Sequence, residues 1–340
     1  MPGVLVHVTR GPIVESVHRG DLAVVESAGK LLHHVGDPDR VTYFRSSSKP
    51  IQALAVVLSG AVDRFGLTER ELAVTCASHN AEDFHVEAVL SVLAKAGLGE
   101  ESLQCGTHLP LDRASAARLV AAGRESTSVH SNCSGKHSGM LAACRAMGWS
   151  TADYISPDHP LQRWNRELVA TVCDYPAKDI AIGIDGCGVP VFGLPVRNMA
   201  YGFARLADPD TLPSELRAAA RRVVAAMQAY PEMVAGTNRF CSDLMRIAAG
   251  KVVAKSGAEA VYCAGFLKGR TPATVERGMG AAVKIDDGGS RATAPVMMKV
   301  MTDLGVLDAE GAAALKRYAH PENRNFRNDL CGEIRVAFDW

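Results

Sequence analysis

The sequence predicts a mixed α/β (α+β) fold: an antiparallel sheet drawn from both chain ends, helices packed on it, and a helical middle region. Three observations predict it. Short valine- and leucine-rich runs, separated by glycine-containing turns, fill residues 3 to 44. From about 49 to 250 the apolar residues move to helical spacing. After 250 strand-like runs return.

Taken in order, "VLVHV", "IVESVHR", "DLAVVES" and "KLLHHVG" read as four strands of a meander, with Gly29 and "GDPD" at 36 to 39 as turn chemistry. "IQALAVVLSGAV" reads as a buried helix, and "FHVEAVLSVLAKAG" as a helix closed by Gly97. "RASAARLVAAG", "GMLAACRAMGW", "LQRWNRELVATVC", "SELRAAARRVVAAMQAY" and "FCSDLMRIAAG" continue the helical series. "AVYCAGF" and "GMGAAVKID" read as core strands, "ATAPVMMKVMTDLG" as a helix with Pro295 near its start, and "IRVAF" as the closing strand. No repeat, low-complexity tract or linker interrupts this series. Residues 1–340 therefore read as one domain with a helical subregion at roughly 49–250.

Hydrophobic residues make up 47% of the chain and charged residues 22%, as expected for a globular protein with a sizeable core. Lys plus Arg equals Asp plus Glu, 37 each, so nothing in the balance favours nucleic acid or an anionic membrane surface. The start has no basic flank, apolar run and small-residue cleavage site in sequence, and no stretch is apolar enough to span a membrane. Nine scattered cysteines fit free or metal-bound thiols better than a disulfide scaffold. Together these features predict a cytoplasmic protein.

The stretch "YFRSSSKPIQ" places three serines before a lysine. Serine becomes a nucleophile only when a base removes its proton, and a neutral lysine amine can serve. Residues three apart in a helical turn share a face, and only Ser46 has that spacing to Lys49. Pro50 fits only a first turn, so a helix must begin near Ser47 to Lys49. A serine there could equally be a cap. The other S-x-x-K, Ser27 to Lys30, falls in a hairpin turn. Two companions appear in the order used by serine–lysine acyl enzymes: "SHN" at Ser78 to Asn80, and "KSG" at Lys255 to Gly257. Asn80 ahead of "AED" could instead cap a helix, and Lys255 could be a solvated strand end. The catalytic reading pairs Ser46 with Lys49 and Ser78 with Lys255. Spacing leaves open which serine attacks; Ser46 is favoured because local geometry fixes its partner.

A second constellation is "HSNCSGKHSG" at 130 to 139 with "IDGCGVP" at 184 to 190. Cys133 and Cys187 sit in glycine-containing segments, with Lys136 and His137 three and four residues after Cys133. Two thiolates and a nitrogen would suit a tetrahedral zinc with one open position. There is no C-x-x-C and lysine is a rare ligand, so buried structural thiols are the alternative. His137 could be structural, and Asp185 could cap a turn.

Taken together, "RSSSKPIQ", "CASHN", "NCSGKHSGML", "GIDGCGVPVF" and "AKSGAE" resemble the asparaginase II family, the rhizobial-type or class 3 L-asparaginases. The resemblance runs from the first strands to "FRND" at 326 to 329. It implies hydrolysis of the side-chain amide of L-asparagine to L-aspartate and ammonia, a serine β-lactamase- or glutaminase-like fold, and a homodimer. It implies that Ser46, Lys49, Ser78 and Lys255 are catalytic, and that Cys133, Lys136 and Cys187 hold Zn2+. It also implies that Arg45, His137 and Asp185 line the substrate pocket, with Arg45 suited to the α-carboxylate and Asp185 to the α-ammonium. The competing readings are another acyl hydrolase (a glutaminase, β-lactamase or penicillin-binding peptidase) and a non-catalytic zinc or amino-acid binding protein.

Overall fold

The computed structural model describes residues 1–340. They form two compact units: Met1–Ser47, Gly193–Thr211 and Leu244–Trp340 make the first, and Ser48–Phe192 and Leu212–Asp243 the second.

The first unit contains the sheet expected from the two chain ends. Its strands run in the order Glu322–Arg324, Leu330–Val336, Gly3–Arg10, Ile13–Glu26, Met279–Ile285, Val261–Phe266, Val252–Gly257. Every pairing is antiparallel, with registers such as Val6↔Val336, Leu22↔Val283 and Lys255↔Cys263. Leu31–Val35 also pairs with Ile13–Glu26. The two strands expected between residues 12 and 28 are one strand of 14 residues. Gly20 is no turn within it: it pairs with Ile285, and a Cβ there would run into the Lys284 carbonyl. Helix Val196–Ala207, which the sequence reading passed over, lies close against the sheet. A Cβ at Gly280 would strike the Ala200 carbonyl. Leu5, Leu22, Val283, Phe266, Phe203 and Met297 are fully buried in this unit. Each such side chain contributes about 1.5–3 kcal/mol by leaving water.

The second unit is mostly helical. Its longer helices are Lys49–Leu58, Glu69–Thr75, Asp83–Lys95, Arg113–Ala121, Ser134–Met147, Pro160–Cys173 and Ser214–Ala229. Local chemistry sets their ends. Thr68 Oγ1 accepts the Glu71 N–H at 3.2 Å while Glu71 accepts the Thr68 N–H at 2.7 Å, a reciprocal cap. Gly148, at φ 70°, stops Ser134–Met147 in the left-handed conformation that glycine adopts cheaply. That helix begins five residues before the expected "GMLAAC". Its glycines are close-approach sites rather than loop residues. A Cβ at Gly135 would run into the Val74 carbonyl, and one at Gly139 would come within 2.7 Å of Thr75 Cγ2. The early start places Lys136 and His137 on a rigid helix. No helix of the chain is long and apolar enough to cross a membrane.

Candidate active site

Arg45–Ser48 forms a 3-10 turn followed directly in sequence by helix Lys49–Leu58, with Pro50 in its first turn as expected. Arg45 has φ 51°, a left-handed conformation unfavourable for a residue with a Cβ. The N-cap position falls on Ser48, which makes no side-chain cap bond, so Ser46 is not the helix cap. Ser48 Oγ accepts from Gln52 Nε2 at 2.9 Å, and Ser47 Oγ donates to the Lys255 carbonyl at 2.9 Å. Those hydroxyls are occupied in holding local structure. No hydrogen-bond partner within the protein is assigned to Ser46 Oγ, which is half-buried.

Lys255 lies within strand Val252–Gly257 and is fully buried, so it is not a solvated strand end. Its Nζ donates to the Ser256 carbonyl at 2.7 Å. Gly257 explains the last letter of "KSG". A Cβ there would sit 3.1 Å from Ser47 Oγ and 3.2 Å from Arg45 Cβ, pressing on the serine turn.

In the second unit, Lys49 is 1% exposed and its Nζ makes three hydrogen bonds. They go to the Ala77 carbonyl at 2.5 Å, Ser78 Oγ at 3.0 Å and Cys133 Sγ at 3.2 Å. Ser78, which motif order pairs with Lys255, bonds Lys49 as well. The backbone fixes Ser78 firmly: its N–H donates to the Val234 carbonyl, and that of His79 donates to the Asn132 carbonyl. Asn80 is not a helix cap. Glu82 occupies that position, while Asn80 Oδ1 accepts from Arg239 at 2.7 Å. Ala81 follows at φ 58°, so both serine segments carry a non-glycine residue in the left-handed region.

The thiols and Lys136 come together. Lys136 Nζ donates to Cys187 Sγ at 2.9 Å. A hydrogen bond from Cys187, helped by the Lys49 and Lys136 charges, holds the Cys133 thiol well below its ordinary range despite burial. As the donor in that bond, and buried, Cys187 is pushed up. Burial opposes the charge on Lys136, but Cys187, Cys133 and Asp185 outweigh it and raise its pKa. A chain of contacts therefore runs Lys49, Cys133, Cys187, Lys136. Cys187 is positioned by a tight turn in which the Gly188 N–H donates to the Asp185 carbonyl and the Asp185 N–H to that of Val189, both at 2.9 Å. Asp185 is half-buried, and its Oδ1 accepts from the Gly186 N–H.

His137 is fully buried one residue beyond Lys136. Burial first, then the Lys136 and Lys49 charges, push its pKa well down, so the ring is neutral. Its Nδ1 lies 2.7 Å from Tyr154 Oη, and its Nε2 has no partner. The tyrosine lies 17 residues away and in no motif, so no local pattern points to it.

Two thiols and an amine that already converge are a donor set that fits zinc, which favours sulfur and nitrogen in tetrahedral array. The structure has no group of three or more His, Cys, Asp or Glu side chains placed to hold a metal, so a metal here would depend on Lys136 as third ligand.

A family model described as L-asparaginase II matches residues 6–336. Together with a buried serine–lysine contact, this match defines an amidohydrolase. The chain belongs to the L-asparaginase II family. Among solved structures it is similar to a probable glutaminase from Bacillus subtilis complexed with 6-diazo-5-oxo-L-norleucine, at 15% identity over 84% of each chain with a TM-score of 0.37. It is also similar to a covalent complex of a Bacillus subtilis glutaminase with 5-oxo-L-norleucine, at 14% identity over 88% of this chain and 93% of that one, TM-score 0.40. No curated protein matches.

Proposed function

We propose that the protein is an L-asparaginase that hydrolyses the side-chain amide of L-asparagine through a β-aspartyl ester on Ser46. The observation that carries this reading is the buried Lys49 nitrogen 3.0 Å from Ser78 Oγ, one helical turn after the serine run. It supplies a base and a hydroxyl relay in a site shielded from water. Ser47 and Ser48 are held by other bonds, which leaves Ser46 as the attacking hydroxyl of the run.

In this mechanism the amine form of Lys49 takes the Ser46 proton, directly or through Ser78, as the Ser46 oxygen adds to the amide carbon. Backbone N–H groups receive the oxyanion. The proton passes to the leaving nitrogen, the C–N bond breaks, and ammonia departs. Water then adds to the ester by the same route in reverse, releasing L-aspartate and restoring the Ser46 proton. Lys255, buried beside the serine turn, supplies positive charge to this chemistry. Arg45 binds the α-carboxylate and Asp185 the α-ammonium. Cys133, Lys136 and Cys187 would hold zinc, which, with its charge offset by thiolates, would act as a modest Lewis acid that orients substrate.

We extend the reading to a homodimer in the cytoplasm. Nine cysteines without a disulfide fit a reducing compartment, and light scattering tests the dimer. Ammonia release from asparagine and glutamine, beside nitrocefin turnover, tests the activity. Preference for asparagine is expected. Preference for glutamine, or nitrocefin hydrolysis alone, would replace the substrate assignment. Tight asparagine binding without turnover would replace catalysis itself.

A further inference from the structure

Tyr154 and His137 form a contact that neither the motifs nor the mechanism above requires. Both side chains are fully buried, their rings 5.5 Å apart and nearly perpendicular. Tyr154 is held on two sides: Gln162 Nε2 donates to its carbonyl at 2.8 Å, and the Gln104 N–H donates to its Oη at 2.9 Å.

The direction of the tyrosine–histidine bond follows from counting hydrogens. The phenol has one O–H and already accepts from Gln104. Its other contact is His137 Nδ1 at 2.7 Å. If Nδ1 donated, the phenol would accept twice and its own hydrogen would be buried without an acceptor. If the phenol donates, every group in the contact is satisfied. With Nδ1 accepting, the ring's hydrogen sits on Nε2, the ring nitrogen with no partner.

We infer that Tyr154 is a positioning residue that fixes His137 in the Nε2–H tautomer, making it a pre-set donor to an oxygen of the bound amino acid. The inference rests, for the ligand, on the proposed function. An imidazole with hydrogen on Nε2 has no lone pair there to give a metal, so His137 is a donor to substrate rather than a zinc ligand. Helix Ser134–Met147 carries both Lys136 and His137, so the donor is fixed relative to the thiol–amine group.

The test has a spectroscopic and a kinetic arm. Nitrogen-15 imidazole spectra of the ligand-free protein, with the His137 signal assigned by its loss in His137→Gln, should show the proton on Nε2. In Tyr154→Phe the two tautomers should mix. That variant should raise the KM for asparagine about tenfold, the loss expected for one hydrogen bond to a charged acceptor, with kcat nearly unchanged. His137→Gln, which has no tautomer for the phenol to set, should itself raise KM, and adding Tyr154→Phe to it should raise KM no further. His137→Asn, too short to reach, should behave like Tyr154→Phe. A wild-type ring protonated on Nδ1 overturns the inference, as does a Tyr154→Phe effect of equal size in the His137→Gln background. An Nε2–H ring that is lost in Tyr154→Phe supports it even in a preparation releasing no ammonia, a result that would count against the proposed function alone.

Discussion

Lys49 Nζ bonds Ser78 Oγ at 3.0 Å and Cys133 Sγ at 3.2 Å, so a single buried nitrogen joins the serine chemistry to the thiol group. A group with both roles should resist conservative change. Lys49→Met removes the base and should lower kcat by about 10³-fold or more, while Lys49→Arg, always charged, should not restore it. Steady-state ammonia release checks both. Activity of Lys49→Met near wild type would exclude Lys49 as the base.

The thiol and amine contacts predict a metal. Zinc measured by elemental analysis should bind at about one per chain, the count for one closed donor set. Cys187→Ala should lose it and chiefly raise KM. Unchanged metal content in Cys187→Ala would remove the proposed ligand set.

Two stacked, buried histidines contribute, beside His137, to the pH dependence of stability. His85 Nδ1 accepts the Glu82 N–H, and its Nε2 lies 3.0 Å from the Glu232 carbonyl. Burial pushes its pKa from 6.5 down to about 4. His79, stacked on it at 4.9 Å, is also pushed down, by burial first and then by His85. The unfolded chain takes up these protons near pH 6.5 and the folded chain does not, so stability is full above that pH and falls as pH drops toward 4. His85 alone accounts for about 3 kcal/mol across that window. Urea titrations at pH 7 and pH 5 measure the slope, which should be shallower in His85→Asn. A flat profile from pH 7 to 4 would contradict the assignment.

Helix Ser134–Met147 depends on an approach that only glycine permits. Gly135→Ala drives a methyl into the Val74 carbonyl and should cost about 1–3 kcal/mol, the usual penalty of overpacking. It should also displace Lys136, lowering metal affinity. Denaturant unfolding and metal titration read the two effects, and wild-type values in both would show that the helices yield without consequence.

The antiparallel sheet was legible because valine-rich runs at both ends could bury their faces only against one another. The chemistry-bearing segments were legible because serine, lysine and cysteine recur there in a known order. What stayed hidden depends on tertiary neighbours. Gly20, Gly135 and Gly139 read as turn or loop signals, yet each lies where backbone or side chain of another element comes close. Of the two readings of Lys255, the solvated strand end fails, because its strand buries it completely. The bond from Lys49 to Ser78 spans 29 residues, and that from His137 to Tyr154 spans 17. No local pattern encodes such contacts. Helix Val196–Ala207 is absent from the expected helices although Val196, Met199, Ala200, Phe203 and Ala207 recur at helical spacing and are buried.

Mass spectrometry of acid-quenched protein mixed with L-asparagine tests the central claim most directly. A β-aspartyl adduct should appear on the peptide carrying Ser46, vanish in Ser46→Ala and persist in Ser78→Ala. An adduct on Ser78, or full turnover by Ser46→Ala, would contradict it.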